Sequence, residues 1–189
     1  EQVEMLQGVP VAAWVKVDTG MHRLGIDAQS LATVLEQLRA GGVDVQAVCT
    51  HLACADELDS PVTLKQKSQF DSLLADTGAI RKTLAASGGI LAWPQTHYDI
   101  VRPGIMLYGS SPFADRSAQS LGLLPVMTLK SRLIAINTLN AGDAVGYGGT
   151  FVADRPMRIG VVSIGYGDGY PRKAPTDTPV LVETPAGMQ

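Results

Sequence analysis

The chain has 189 residues, enough for one sizeable core or for parts of two domains. Hydrophobic residues make up 46% and charged residues 17%, the balance of a globular protein rather than a disordered one. A net charge of −3 and an aromatic content of 5% argue against nucleic acid and anionic membranes as main partners. Apolar runs such as 160–164 are far too short to span a bilayer.

The opening Glu1-Gln2-Val3-Glu4 is acidic where an export signal would be basic, so a cytoplasmic protein is expected. The absence of an initial methionine, and an end at Gln189 just after a strand-like run, read as two cut ends. Residues 12–18 predict a strand, followed by a glycine-containing turn. A helix is predicted from about Ala28, with Leu31, Val34, Leu35 and Leu38 on one face and Gly41-Gly42 as its stop. Residues 45–51 predict the next strand. Ser60-Pro61 supplies a cap and first helical position for a second helix carrying Phe70, Leu73 and Leu74. A shorter strand is predicted over 83–87, and another at Ile100-Val101 or over 105–108. Cys49 and Cys54, with His51 between them, fall short of the four ligands of a structural zinc site; reduced cysteines and no metal are expected.

Alternating β and α units of this length build a parallel sheet. Polar residues gather where the strands end, as in a (β/α)8 barrel. Four such units cannot close eight strands, so residues 1–122 are expected to form the C-terminal half of an α/β barrel. Beyond a polar linker over 116–122 the pattern changes. Residues 127–136, 146–152, 158–164 and 179–182 are strand-like and separated by Gly, Asp, Pro and Asn turns. Residues 123–189 are therefore expected to begin a β-strand domain.

Four clusters could carry chemistry. Lys16, Asp18 and Arg23 surround the first strand end; they read either as an ion pair tying the loop to the strand or as an arginine placed to grip a carboxylate or phosphate. His51 ends the next strand, as a packing residue or a functional imidazole. Ser87-Gly88-Gly89 and Arg102-Pro103-Gly104-Ile105 offer a hydroxyl and free N–H groups, the parts of a phosphate cup or of ordinary turns. Tyr147 and Tyr166 are flanked by glycines, either as hairpin aromatics or as phenols presented for acid–base work.

Taken together, five strings in order and spacing resemble the alanine racemases, enzymes dependent on pyridoxal 5'-phosphate (PLP). They are Lys16 to Gly25, Thr50-His51, Val101 to Gly109, Val145 to Gly148 and Gly165 to Gly169. The resemblance covers about Trp14 to Val182. It implies a TIM-type PLP-binding barrel followed by a β domain, assembled as a homodimer acting on alanine. By motif, Tyr147 is the catalytic tyrosine serving the L-alanine face of the neighbouring subunit's site. Arg23 contacts substrate carboxylate and the cofactor's phenolic oxygen, and Lys16 orients it. Ser87, Gly104 and Ile105 hold the phosphate. Arg102 bonds the pyridine nitrogen with support from His51, and Tyr166 and Arg172 line the access corridor.

The family's cofactor-anchoring lysine belongs upstream of Glu1, so these 189 residues alone are expected to be inactive. Two rival readings stand beside this one, a racemase of broader specificity and a truncated, non-catalytic interaction module. A decarboxylase of the same fold type would carry an acid where Arg102 stands.

Overall fold

The computed structural model describes residues 2–75, 77–184 and 187–188. The chain divides into two compact units, Glu1–Thr128 and Leu129–Gln189. In the first, a short helix α1 (Gln2–Met5) precedes β1 (Ala12–Lys16), α2 (Leu31–Ala40), β2 (Asp44–Cys49), α3 (Val62–Leu73), β3 (Arg81–Thr83) and α4 (Ser87–Ala92). The three strands are parallel in the order β1-β2-β3. Ile100 extends the sheet by a parallel bridge to Thr83. Each strand-to-strand connection passes through a helix or helical turn, as parallel pairing demands.

The strand period of two decides which side chains face the helices. Val15 and Val48 sit side by side in the register and are buried in the core with Val17, Leu52, Phe70, Leu74 and Leu84. The alternate register row runs Lys16, Cys49, Thr83. In the same alternation Trp14 stays 45% exposed. Helix α2 buries Leu31, Leu35 and Leu38, the i, i+4, i+7 stripe of an amphipathic helix. Helix α3 buries Thr63, Gln66 and Phe70, an i, i+3, i+7 stripe on one face.

Several elements depart from expectation. The helix predicted from Ala28 opens with a 3-10 turn over Ala28–Ser30 before α2 begins. The strand predicted over 83–87 is displaced to β3, and Ser87 is the first residue of α4. Beyond Thr83 the chain is still held, since Ala85 C=O accepts the Arg102 N–H at 2.9 Å, but it then turns into the helix. Gly88 and Gly89 permit this. A Cβ on Gly88 would meet the Ala55 backbone at 3.1 Å, and one on Gly89 would meet Ala85 Cβ at 3.0 Å. Of the two alternatives for the last strand, residues 105–108 form a 3-10 turn ended by Gly109 at φ 78°; the sheet continues at Ile100 instead.

The second unit is built of antiparallel pairs. β4 (Leu133–Leu139) pairs with β7 (Met157–Val162), β5 (Ala144–Val145) with β6 (Phe151–Val152), and β8 (Glu183–Thr184) with β9 (Gly187–Met188). Among its described residues the only helical pieces are 3-10 turns. The predicted strand over 127–136 starts six residues later, at Leu133. The run over 146–152 splits around a turn at Tyr147–Gly149. Residues 179–182 have no ladder, and Pro179 lacks the N–H to join one; pairing begins at Glu183. No described helix is long and apolar enough to cross a membrane.

Candidate active site

The candidate site lies at the carboxyl ends of the parallel strands of the first unit. Arg102 follows the Ile100 bridge, and its guanidinium reaches back across the ends of β2 and β3. Nη1 donates to Thr83 Oγ1, and Nη2 donates to the carbonyls of Thr50 at 2.6 Å and Leu84 at 3.3 Å. Three acceptors from two neighbouring strand ends fix a planar donor that cannot lose its charge in practice. Burial lowers its pKa, with the Cys49 thiol pulling the other way.

His51, one residue beyond Thr50, feels this arrangement. Burial first, then the positive charges of Arg102, Arg23 and Lys16, hold its imidazole below the ordinary histidine range. The ring is therefore neutral at pH 7, able to donate from one nitrogen and accept at the other. Cys49 is pushed the other way: burial raises its thiol pKa against the pull of Arg102 and Lys16. The strand ends thus collect three cations around uncharged neighbours, a field suited to an anionic ligand.

Arg23 rides on a loop shaped by Asp18. The carboxylate Oδ1 accepts N–H bonds from Gly20 at 2.8 Å, Met21 at 3.0 Å and His22 at 3.2 Å, and Oδ2 lies 3.3 Å from His22 Nδ1. The bond from Gly20 is the leading reason its pKa lies below the usual carboxylate value. Asp18 therefore organises the loop itself, and the ion-pair reading of this motif gives way to a turn built on backbone donors. The loop returns to the strand through the Val17–Ile26 bridge, with Asp18 N–H donating to Ile26 C=O and Ile26 N–H to Lys16 C=O. Gly25 makes that return, at φ 133°, where a Cβ would stand 2.7 Å from Asp18 N. Gly25→Ala should destabilise the protein by about 2 kcal/mol or more. Thermal unfolding reads the loss, and limited proteolysis should find the loop between Asp18 and Gly25 newly cleavable.

Ser87, Gly104 and Ile105 come together as one cup. Ser87 Oγ accepts the N–H groups of Gly104 at 3.0 Å and Met106 at 3.3 Å. With its lone pairs engaged, the Ser87 hydroxyl keeps its hydrogen to donate. Ile105 opens the 3-10 turn directly after Gly104.

The other predicted residues lie in the second unit. Tyr147 is fully exposed on the turn between β5 and β6. Gly146, Gly148 and Gly149 beside it all have positive φ, between 56° and 74°, conformations a side chain would resist. Tyr166 opens another 3-10 turn, in which Gly165 N–H donates to Asp168 Oδ2 at 3.0 Å. Arg172 places its guanidinium 5.7 Å from the Tyr166 ring centre, so these two residues are brought together.

Sequence reasoning missed a buried polar knot behind the strand ends. The Thr19 and Thr50 hydroxyls share a hydrogen bond of 2.8 Å. Gln66 of α3, 1% exposed, bonds to Thr19, to His51 C=O and to Ala53 N–H. Its position between Thr63 and Phe70 on one helical face was the available signal. Among the described residues no group of three or more His, Cys, Asp or Glu side chains could hold a metal ion.

Comparison with known proteins gives the chain's family. The family profile described as "Alanine racemase, N-terminal domain" matches residues 1–112, and "Alanine racemase, C-terminal domain" matches residues 126–186. An alanine racemase of Vibrio atlanticus is 50% identical over 188 residues, covering 96% of this chain and 52% of the relative. The crystal structure of the biosynthetic alanine racemase from Pseudomonas aeruginosa superposes with a TM-score of 0.87 at 45% identity, over 95% of this chain and 52% of that one. Alanine racemase from Bartonella henselae, solved with covalently bound pyridoxal phosphate, has a TM-score of 0.68 at 30% identity, over 85% of this chain and 44% of that one. The chain thus spans about half the length of the curated relative it matches.

Proposed function

Because this chain belongs to the alanine racemase family, we propose that the whole protein interconverts L- and D-alanine using pyridoxal 5'-phosphate. The observation that carries the reading is the Arg102 guanidinium, pinned by three acceptors at the strand ends beside a neutral His51 and the charges of Lys16 and Arg23. These residues fit the cofactor. The donor set is cationic and N–H-rich, and the Ser87–Gly104–Ile105 cup supplies the hydroxyl and backbone donors that a phosphate monoester needs.

Bound PLP supplies the electron sink that acidifies the α-hydrogen of alanine. The protein's part is to hold, orient and move protons. Arg102 donates to the pyridine nitrogen; unlike a carboxylic acid it has no proton to give up there. This restrains the electron withdrawal that would drive decarboxylation or transamination. His51 supports Arg102 from the adjoining strand end. The Ser87 hydroxyl, with the Ile105 N–H and the Gly104 backbone that Ser87 Oγ holds in place, binds the phosphate. Arg23 binds the substrate carboxylate, and Lys16 sets its orientation.

Racemisation needs a proton carrier on each face of the α-carbon. Tyr147 Oη serves the L-alanine face, acting in the site of the neighbouring subunit of a homodimer. Its full exposure on a glycine turn supports an outward reach. The second carrier is the cofactor-anchoring lysine, which the family places on its first barrel strand. Tyr166 and Arg172 line the access corridor. In this reading residues 1–122 form the C-terminal half of the PLP barrel, residues 123–189 begin the β domain, and the enzyme acts in the cytoplasm.

The test is turnover by the whole protein with PLP, offered alanine in both directions beside serine, lysine and arginine. Alanine racemisation is expected. Turnover confined to another amino acid would move the substrate, and no turnover of any would overturn the reading.

A further inference from the structure

Gln66 is a buried amide with every polar atom used. Oε1 accepts the Ala53 N–H at 2.8 Å; Nε2 donates to His51 C=O at 2.9 Å and lies 3.4 Å from Thr19 Oγ1. The orientation of the amide is dictated by its partners, since an N–H requires the oxygen and a carbonyl requires the nitrogen. The side chain therefore grips the main chain at both ends of the step from His51 to Ala53. It does so where β2 has ended and no ladder holds the chain. Through Thr19, which also bonds Thr50, the same amide ties in the loop that carries Arg23. The Cβ position of Gly20 lies 3.6 Å from Gln66 Cγ, so that loop packs on the glutamine stem as well.

We propose that Gln66 is a positioning residue that fixes His51, and through it the Arg102 donor, from the helix side of the sheet. The assignment to cofactor binding rests on the racemase reading; the clamp on His51 does not. No other side chain meets these demands. Leucine would leave the Ala53 N–H and His51 C=O without partners, and asparagine is one carbon short. Methionine matches the length but offers neither the donor nor the acceptor.

The imidazole reports the clamp, because burial and the charges of Arg102, Arg23 and Lys16 hold its titration low. The experiment uses the whole protein with labelled histidine, as wild type, Gln66→Leu and Gln66→Met, the last keeping the length of the side chain without adding charge should the leucine variant not fold. His51→Ala assigns the signal. Without PLP, the His51 titration is expected to move up toward the ordinary histidine range in both variants. With PLP, the dissociation constant should rise roughly tenfold, with no further rise when the His51→Ala change is added.

An unmoved His51 titration overturns the proposal, as do PLP losses that multiply in the double variant. A wild-type protein that binds no PLP would sink the cofactor reading alone, leaving the titration to decide on the clamp.

Discussion

Replacing Tyr147 by phenylalanine in the whole protein lowers alanine racemisation by on the order of 10²–10⁴-fold and leaves the unfolding temperature unchanged. The first half follows from the chemistry. A proton carrier on one face of the α-carbon cannot be replaced by a hydrocarbon ring, and water reaching a closed site is a poor substitute. The second half follows from the surroundings of the side chain. Tyr147 is fully exposed on its own subunit, and no hydrogen bond to its hydroxyl is present among the described residues, so removing the oxygen strands no buried partner within that subunit. Exchange of the α-hydrogen with deuterium oxide separates the faces: L-alanine should lose exchange far more than D-alanine. Activity within about twofold of wild type would remove Tyr147 from the mechanism.

Arg102→Leu should act on both stability and cofactor binding. Thr83 Oγ1 and the Thr50 carbonyl each lose a donor in places that are 0% and 1% exposed. Two acceptors stranded in this way destabilise by about 2–4 kcal/mol. The denaturant midpoint should fall with an unchanged slope. PLP affinity should fall by about 10–100-fold, as when a charge-assisted hydrogen bond is lost. Arg102→Lys should recover little of either, because a single ammonium on a flexible stem cannot span the ends of two strands in one plane. If Arg102→Leu binds PLP as the wild type does, the pyridine nitrogen is held by something else.

The parts legible in the sequence are those where one local rule acts alone. The Leu31, Leu35 and Leu38 stripe announces α2, and the alternation around Val15 announces β1. The run from Leu84 to Ser87 misleads because its short stretch of apolar residues looks like a buried strand; only Gly88 and Gly89 meeting Ala55 and Ala85 decide that a helix starts there. Residues 105–108 mislead in the same way, their apolar character serving a 3-10 turn. The site residues at the strand ends are legible as strings, because backbone-binding loops need particular glycines and hydroxyls. Gln66 gives only the faint signal of its place between Thr63 and Phe70 on one helical face, since a glutamine in a helix ordinarily means a solvated face. Its meaning comes from chain segments thirteen to forty-seven residues away, a separation no periodicity reaches.

The ribbon of β4 and β7 bears on how this polypeptide is made. Leu133, Ile134, Ile136, Val161 and Val162 are all exposed on two strands, and a two-stranded ribbon is marginal in water. The first unit has a buried core around Phe70 and Leu84. The ribbon that follows has no such shelter of its own. Until another surface is laid against it, such a ribbon is open to chaperones and to clumping with its neighbours on the polysome.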